Sequence, residues 1–391
     1  MTYIEQLDHN RLIMAVNIIF AGDIVPSDRT KTLFLEKKTE ILFGDVMPIL
    51  KNADYSVVNY EAPVVINKGN PIKKSGPHLS SSYQTMEVVR EAGFDMITLA
   101  NNHFRDQGQE GVKDTLDSAR KLGLDYVGGG ENLAEAKKTK FVSIKNVKFA
   151  FLNYCEQEYS IATDNYGGSN PYDIINITKA IHEAKNAADY VILIIHGGIE
   201  HYQLPSPRMK KEYHFFVDVG ADVVINHHQH CFSGYEIYKG KPICYGLGNF
   251  CFDDASYRNN GMWDKGFLAR LVFDENRIGL SIVPYSQCGE EPSVRVLEEG
   301  TYGDKISELN NLISDDVMLM AAYQNLVATK QKKFLSQMNA FGNVLFDKLY
   351  KKGYLGKLYS KNRIYVIKDL LYCESHLDVL KNSVKDLIEK Q

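Results

Sequence analysis

Two patterns of apolar and polar positions, one typical of strands and one typical of helices, alternate along the first 250 residues. In the helical segments, apolar residues recur three and four positions apart, as they do on one face of a helix. The clearest predicted helix follows Gly111 and ends at Gly123, and two others cover 177–188 and 208–220. Short runs rich in Val, Ile and Phe predict strands at 16–22, 55–60, 95–100, 148–153, 190–195, 222–226 and 242–250. Strands that alternate with helices predict an α/β fold with a largely parallel sheet.

The pattern changes in the last third of the chain. Two alternating runs on either side of residues 274–276 predict an antiparallel hairpin over 267–283. After residue 300 the spacing is helical, and the sequence is rich in lysine. We therefore predict an α/β domain over 1–295 and a helical C-terminal extension over 300–391. Its apolar positions should pack on the core or join copies of the chain as a homo-oligomer. They are Phe334, Met338, Phe341, Leu345, Leu349, Leu377, Leu380, Val384 and Leu387.

Composition narrows the class of protein. The chain has 391 residues, 44% of them hydrophobic, and a formal net charge of -4. It offers no broad basic surface, so nucleic acid is not expected as a partner. Apolar runs fall short of the roughly 20 residues that a membrane-spanning helix needs, and no basic, cleavable signal peptide is recognisable, which predicts a cytoplasmic location. Six cysteines without a CxxC pair are expected to be buried thiols.

Polar side chains with metal-binding chemistry follow five of the predicted strands. In a parallel α/β sheet the carboxyl ends of the strands open on one edge, where ligands bind. A single aspartate or histidine at such a place is usually a helix cap or a satisfied polar residue. Five strands that each deliver nitrogen or oxygen donors to one edge predict a metal site instead. The residues are Asp23, Glu61, Asn101, Asn102, His103, Asp106, His196, His227, His228 and His230.

The type of donor indicates the metal. Nitrogen and oxygen ligands without a thiolate suit Mn, Fe or Zn, and the donors are numerous enough for one or two ions. Two ions about 3.5 to 4 Å apart can bind a phosphoryl group and lower the pKa of water to about 7. His228 and His230 are two residues apart and should face the same side of an extended segment. His227 should then point elsewhere and hydrogen-bond a ligand.

Two other segments allow more than one interpretation. Lys73, Lys74 and His78, in the loop after the second strand, could contact the anionic end of a substrate or could be solvated. The segment HGGIEH at 196–201 reads HxxxEH where a zinc-protease helix requires HxxEH, and its two glycines disfavour that helix. A protease site is therefore not expected.

Several segments in order between residues 16 and 254 resemble a known family. They are FAGDIV, VNYEAP, ITLANNHFRDQGQEGVKDTL, YVGGGENLAEA, IIHGGIEHY, DVGADVVINHHQH and YEIYKGKPICYGLGNFCFD. They are similar to the CapA proteins of poly-γ-glutamate capsule synthesis, a branch of the calcineurin-like metallophosphoesterases. The resemblance implies a four-layer α/β/β/α sandwich of the metallophosphatase type over 1–295.

The resemblance also implies roles for individual residues. Glu61 stands where the phosphoesterases have a carboxylate that bridges two ions, and His103 where they have a general acid. Asp106 and Glu200 would hold His103 and His196 in orientation, and Asn101 and His227 would support the ligands. The implied metal ligands are Asp23, Glu61, Asn102, His196, His228 and His230.

The sequence departs from the phosphoesterase pattern at position 25. Those enzymes have a histidine two residues after the first aspartate, whereas this chain has Val25, so one ion loses a ligand. Asn226 and Gln229 replace the usual glycine and proline around the paired histidines and should alter the loop more than the ligands.

The resulting hypothesis is a metal-dependent hydrolase, phosphoesterase-like or polymer-processing, in capsule or exopolymer biosynthesis. Its substrate would be an anionic small molecule or polymer. The alternative is a non-catalytic component of capsule assembly that binds an anionic polymer in the same pocket.

Overall fold

A computed structural model describes residues 15–258, 261–274, 277–338 and 360–389, with a few positions between 345 and 354. Sheet-forming segments continue to residue 296, and helices follow from residue 303. The strands are β1 Val16–Val25, β2 Tyr55–Tyr60, β3 Met96–Thr98, β4 Asp125–Val127, β5 Gly129–Gly130, β6 Lys140–Ile144, β7 Val147–Cys155, β8 Gly168–Ser169, β9 Tyr190–His196, β10 Val223–His227, β11 Tyr235–Tyr238, β12 Lys241–Cys244, β13 Asn249–Phe252, β14 Lys265–Asp274, β15 Arg277–Gln287 and β16 Val294–Val296.

The helices begin and end at residues whose chemistry suits those positions. Ser206 caps one helix by accepting a hydrogen bond from the Met209 N–H, and Gly123 ends another in the left-handed conformation. The helices are α1 Asp28–Leu35, α2 Thr39–Phe43, α3 Met47–Lys51, α4 Tyr83–Ala92, α5 Gly108–Leu122, α6 Leu133–Ala136, α7 Ile174–Lys185, α8 Pro207–Asp218, α9 Gly303–Ser314, α10 Asp316–Met338, α11 Lys361–Tyr372 and α12 Glu374–Glu389.

In the described part of the chain, the long strands form two mixed sheets. The first has the order β16-β15-β14-β1-β2-β3-β4, with β13 also paired to β1, and the second has the order β11-β12-β10-β9-β7-β6. Strands β1 to β4 run parallel, as do β7, β9, β10 and β12, while β14 and β15 form the predicted antiparallel hairpin. The prediction of one largely parallel sheet is therefore wrong. The strand pattern alone does not show where one sheet ends and the next begins.

The two sheets face each other across one hydrophobic core. Phe20 of β1 and Phe151 of β7 meet there, with their ring centroids 6.5 Å apart. On the opposite face of β1, Ile19 packs with residues of helices α1 to α5, and α7 and α8 cover the second sheet. The alternation of β1 side chains between the two cores follows from the two-residue period of a strand. The four layers are thus helices, sheet, sheet and helices, which confirms the predicted sandwich.

The prediction of one continuous strand over 242–250 is wrong. Its first part is β12 in the second sheet, and its last part belongs to β13 in the first. Gly248 has a φ of 81°, which a glycine adopts readily, and it lies where the chain crosses from one sheet to the other. An apolar run does not reveal such a crossing.

The helices after residue 303 belong to two packing groups. Ile306, Leu309 and Leu319 belong to the large hydrophobic cluster that also includes residues of α7 and α8, whereas Phe334, Leu370, Val379 and Leu380 form a small cluster with Ile199. Of the predicted positions, Phe341 lies outside the described residues, Leu349 is half-buried, and Leu345 is 62% exposed, which is wrong for a packing position.

Helix α12 buries Leu380, as predicted, but the rest of its buried face differs from the prediction. Val379 and Ser383 are buried, while Val384 and Leu387 are 44% and 40% exposed. The apolar stripe was misplaced by about one residue because serines take part in the buried face.

Of the helices described, none has the length and apolar character required to cross a bilayer. The cytoplasmic location stays a prediction. All six cysteines are buried free thiols, as predicted.

Candidate metal centre

Asp23 lies on a bulge near the end of β1. Pairing with β2 shifts register between Ala21 and Asp23, and a bulge of this kind redirects a side chain. The Asp23 N–H donates a hydrogen bond of 3.2 Å to the carbonyl oxygen of Gly248. A Cβ on Gly22 would come within 1.8 Å of that same oxygen, so only glycine fits there. Close packing between the FAGD and GLGNF segments therefore fixes the Asp23 carboxylate.

Glu61 follows β2 and is fully buried. Its Oε1 lies 3.5 Å from Nε2 of His196 and 4.0 Å from Nε2 of His230. Among the residues that the structure describes, this oxygen has no hydrogen-bond partner. A buried carboxylate oxygen without a partner is costly, unless a cation or a donor binds it. Its place between two imidazoles fits a ligand shared by two metal ions.

Asn59, the next-to-last residue of β2, connects the two carboxylates. Its Nδ2 donates to Oδ1 of Asp23 at 2.8 Å and to Oε2 of Glu61 at 3.4 Å, and it lies 3.3 Å from Nδ1 of His196. Thr98 donates to Oδ1 of Asn59 at 3.1 Å, which holds the amide in this orientation. Asn59 therefore sets the spacing between Asp23, Glu61 and His196.

His196 and His228 form one side of the centre. His196 ends β9, and its Nε2 lies 3.1 Å from Oδ1 of Asn102 and 3.1 Å from Nδ1 of His228. Glu158 contacts the outer side of this group: it accepts from Nδ2 of Asn102 at 3.2 Å and lies 3.5 Å from Nε2 of His228. Two imidazoles, an amide oxygen and a carboxylate thus converge at one point.

His230 and Asp23 form the other side. Nδ1 of His230 lies 3.4 Å from Oδ2 of Asp23 and 2.9 Å from Oδ1 of Asn249 in β13. The prediction that His228 and His230 lie in an extended segment is wrong. Strand β10 ends at His227, and the φ angles of His228 and His230 are 92° and 54°. Non-glycine residues adopt such angles at a cost and often at functional sites. The two imidazoles reach the centre through this left-handed backbone.

The charges of the donors also suit a cation. Burial and the charge of Asp23 raise the pKa of Glu61 well above its usual value. Burial alone would raise the pKa of Asp23 too, but the neighbouring imidazoles of His227 and His230 lower it well below its usual value. His230 balances the carboxylates: burial disfavours its charged form, yet Glu61 and Asp23 raise its pKa to about 10. The two carboxylates therefore favour the charged form of His230.

Two other imidazoles are neutral and ready to coordinate. Burial, more than any neighbouring charge, lowers the pKa of His228 to about 4 and that of His196 well below its ordinary value. Neutral imidazole is the form that binds metal. Within the described part of the chain, three groups of donors have ligand atoms within 4.8 Å of one another. They are Glu61 with His196 and His228, Asp23 with Glu61 and His230, and Glu200 with His228 and His230.

The structure places the remaining predicted residues around this centre. Nδ1 of His103 lies 2.6 Å from Oδ2 of Asp106 and 3.1 Å from Nζ of Lys74, which also pairs with Asp106. Burial and then Lys74 lower the pKa of His103, against the opposing effect of Asp106. His227 approaches Oδ1 of Asp23 at 3.3 Å, consistent with a supporting position.

Other predicted residues lie further from the donors. Asn101 donates to the carbonyl oxygen of Tyr60 at 3.0 Å, so it braces the strand end. Lys73 and His78 are exposed, and a ring nitrogen of His78 lies 2.6 Å from the carbonyl oxygen of Ile72. Glu200 is exposed beside His228 and His230. The hydrogen bonds found among the described residues include none between Glu200 and His196.

Sequence reasoning missed several residues of the centre. Asn59 carries a visible signal, a polar residue inside the buried strand YSVVNY, but the prediction concerned only residues that follow strands. Asn249 lies in the family segment GLGNF. Glu158 follows β7, a strand end that the prediction did not include. His376 comes from α12 and lines a cavity together with Asn102 and His103, which lie more than 270 positions earlier in the chain.

The fold is a four-layer α/β/β/α sandwich, and buried nitrogen and oxygen donors collect at the ends of its strands. A family model described as "Bacterial capsule synthesis protein PGA_cap" matches residues 17–254, and the chain belongs to this family. The match includes every predicted metal ligand and ends before the C-terminal helices.

Curated relatives agree with this assignment. The chain is 34% identical over 289 residues to the capsule biosynthesis protein CapA of Bacillus anthracis, covering 72% of this chain and 69% of the relative. It is 33% identical over 239 residues to the PGA biosynthesis protein CapA of Bacillus subtilis (strain 168), covering 60% and 63%. Among solved structures, a hypothetical protein of Thermus thermophilus aligns with a TM-score of 0.44 and 15% identity, covering 72% of this chain and all of that one.

Proposed function

We propose that the protein is a metal-dependent hydrolase, phosphoesterase-like or polymer-processing, that acts in capsule or poly-γ-glutamate biosynthesis. The names of the relatives support the biosynthetic setting. The observation that carries the catalytic part is Oε1 of Glu61, a buried oxygen without a hydrogen-bond partner among the described residues, between two histidines. Its surroundings match what a bridging ligand needs.

Mn, Fe or Zn fits the donors, in one or two positions. Asp23, Glu61 and His230 would hold one ion, and Glu61, Asn102, His196 and His228 the other. Bound cations would neutralise charge on the reacting group and lower the pKa of water. Position 25 is valine, so the first ion would have one ligand fewer than the phosphoesterases provide. We propose that the carboxylate of Glu200, which lies close to His228 and His230, compensates for this missing ligand.

The residues of the chain supply positioning and proton transfer. His103 lies beside Asn102, and Asp106 fixes its ring through the contact at Nδ1. Lys74, which is nearly buried and paired with Asp106, adds positive charge where an anionic substrate would lie. We propose that His103 donates the proton to the leaving group and that an anionic substrate promotes its protonation.

The test uses the full-length protein loaded in turn with Mn, Fe or Zn and supplied with phosphoesters and γ-glutamyl amides. We expect metal-dependent hydrolysis of one class, and a fall in kcat of about 100-fold or more in His103→Asn. His182→Asn, which changes an exposed histidine on α7, serves as the matched control and should keep full activity. Hydrolysis of neither class in any metal form would reject the hydrolase. If a poly-acidic chain still bound without metal, the non-catalytic alternative would replace it.

A further inference from the structure

Glu158 is a nearly buried carboxylate that contacts two of the proposed metal ligands. It follows β7, and its side chain is 10% exposed. Oε1 lies 3.5 Å from Nε2 of His228, and Oε2 accepts a hydrogen bond of 3.2 Å from Nδ2 of Asn102. His228 follows β10 in the second sheet, and Asn102 follows β3 in the first. One carboxylate therefore joins ligands that come from the two sheets.

The opposite end of each ligand faces His196. Nδ1 of His228 and Oδ1 of Asn102 each lie 3.1 Å from Nε2 of His196. Zinc binds nitrogen and oxygen at about 2.0–2.2 Å, so atoms that share one ion lie roughly 3 Å apart. The spacing therefore fits one cation held by Nε2 of His196, Nδ1 of His228 and Oδ1 of Asn102.

A ligand atom must present a lone pair to the ion. A neutral imidazole can do so through Nδ1 only if its proton is on Nε2, and an amide can do so only through its oxygen. An acceptor at Nε2 of His228 favours the first state, and an acceptor at Nδ2 of Asn102 favours the second. Each oxygen of the Glu158 carboxylate supplies one of these acceptors. A carboxylate beyond a coordinating histidine is a common arrangement that fixes the tautomer and orients the ring.

The turn that carries Glu158 is attached to the C-terminal helix α12. The Gln157 N–H donates to Oε2 of Glu374 at 2.9 Å, and Oγ of Ser375 donates to Oε1 of Glu156 at 2.8 Å. The Glu158 N–H donates to the carbonyl oxygen of Glu156 at 2.9 Å and closes the turn. Helix α12, which lies outside the family match, therefore helps to fix the position of this carboxylate.

The neighbouring carboxylates have other partners. Asp369 pairs with His376 at 3.0 Å, and Glu200 forms a donor group with two histidines of the metal centre. Among the residues that the structure describes, the side-chain hydrogen bonds of Asn102 include one to Glu158 and none to Asp369 or Glu200. Glu158 is therefore the carboxylate that can orient both ligands.

We infer that Glu158 is a positioning residue of the metal centre: it holds His228 in the tautomer that coordinates through Nδ1, and it holds Asn102 with its oxygen toward the ion. The inference rests on the metal centre of the proposed function, but it does not depend on hydrolysis. It concerns a residue outside the ligand set that the family resemblance implies.

Glu158→Gln tests this role, because glutamine keeps the shape of the side chain but has one acceptor in place of two. If its oxygen faces His228, its NH2 group opposes the NH2 group of Asn102; if the amide is reversed, its NH2 group opposes the Nε2–H of His228. We expect the full-length variant to bind Zn²⁺ 10- to 100-fold more weakly than the wild type in competition calorimetry. Glu236→Gln on the edge strand β11 is the matched control, because Glu236 also contacts a histidine, His214, at 2.7 Å. It should bind zinc as the wild type does.

Nitrogen-15 NMR of the zinc-loaded protein, labelled at histidine, measures the tautomer directly. We expect His228 of the wild type to have a zinc-bound Nδ1 and a protonated Nε2. A role of Glu158 in shape alone would not select this tautomer. The wild-type spectrum decides the question even if Glu158→Gln does not fold.

Equal zinc affinities for Glu158→Gln and the wild type, or coordination of zinc through Nε2 of His228, would reject the positioning role and leave the metal centre in place. A wild type that binds no zinc would overturn both. Zinc binding that depends on Glu158 in a protein that hydrolyses nothing would support the positioning role and reject the hydrolase.

Discussion

Glu61→Gln is expected to lower the affinity for Mn²⁺ by more than about 100-fold, beyond the 10- to 100-fold typical of losing a residue that only supports a ligand. Glu61 is fully buried, and its Oε1 lies near both His196 and His230, so one substitution removes an oxygen from two donor groups. Glutamine keeps the shape of the side chain but cannot supply a carboxylate. Calorimetry with the full-length protein measures the effect.

The same substitution should not destabilise the metal-free protein. Burial and Asp23 raise the pKa of Glu61 well above its usual value, so ionised Glu61 opposes folding when no cation is present. Its contribution to stability is therefore lost as pH rises, and a neutral glutamine avoids that loss. We expect the Tm of metal-free Glu61→Gln to equal or exceed that of the wild type at pH 8. Glu183→Gln, at an exposed position on α7, is the control. Unchanged Mn²⁺ affinity in Glu61→Gln would contradict the bridging role.

Arg208→Met should destabilise the protein by about 3–5 kcal/mol, because it leaves the buried Glu156 and two partly buried carboxylates without their cation. Arg208 is in contact with Glu156, Glu212 and Asp378, and its side chain is 20% exposed. The loss should first release α11 and α12 from the sandwich, since Asp378 and the Glu156 partner Ser375 belong to α12. Chemical denaturation measures the free energy of unfolding, and hydrogen exchange locates the released helices.

Arg120→Met is the matched control for this prediction. Arg120 is exposed and pairs with Asp117 and Glu131 at the surface, where removal of an ion pair costs about 0–1 kcal/mol. Equal stabilities for the Arg208 and Arg120 variants would show that the attachment of the C-terminal helices does not depend on the buried charges.

The strand ends of the sandwich could be predicted because two local signals coincide there. A buried strand needs an apolar run, and a metal site needs polar side chains, so Asp23 and His196 stand out near the ends of β1 and β9, and Glu61 directly after β2. The sequence does not show that these strands belong to two sheets. The donors meet between the ends of both sheets, and only the packing of Phe20 on Phe151 and their neighbours brings those ends together.

Residues that act through long-range packing could not be predicted. Helix α12 is amphipathic, but its spacing does not indicate that Ser375 faces Glu156 or that His376 faces Asp369. The left-handed conformations of His228 and His230 are equally hidden, because histidine does not require them. Such features arise from tertiary contacts that override local preference.

Anomalous diffraction from crystals soaked in Mn²⁺ tests the central claim most directly, because it locates bound metal without relying on activity. We predict anomalous density in contact with Glu61, on the side of His196 and His228, on the side of Asp23 and His230, or on both. Manganese bound only at other carboxylates, with no density beside Glu61 and these histidines, would contradict the metal centre.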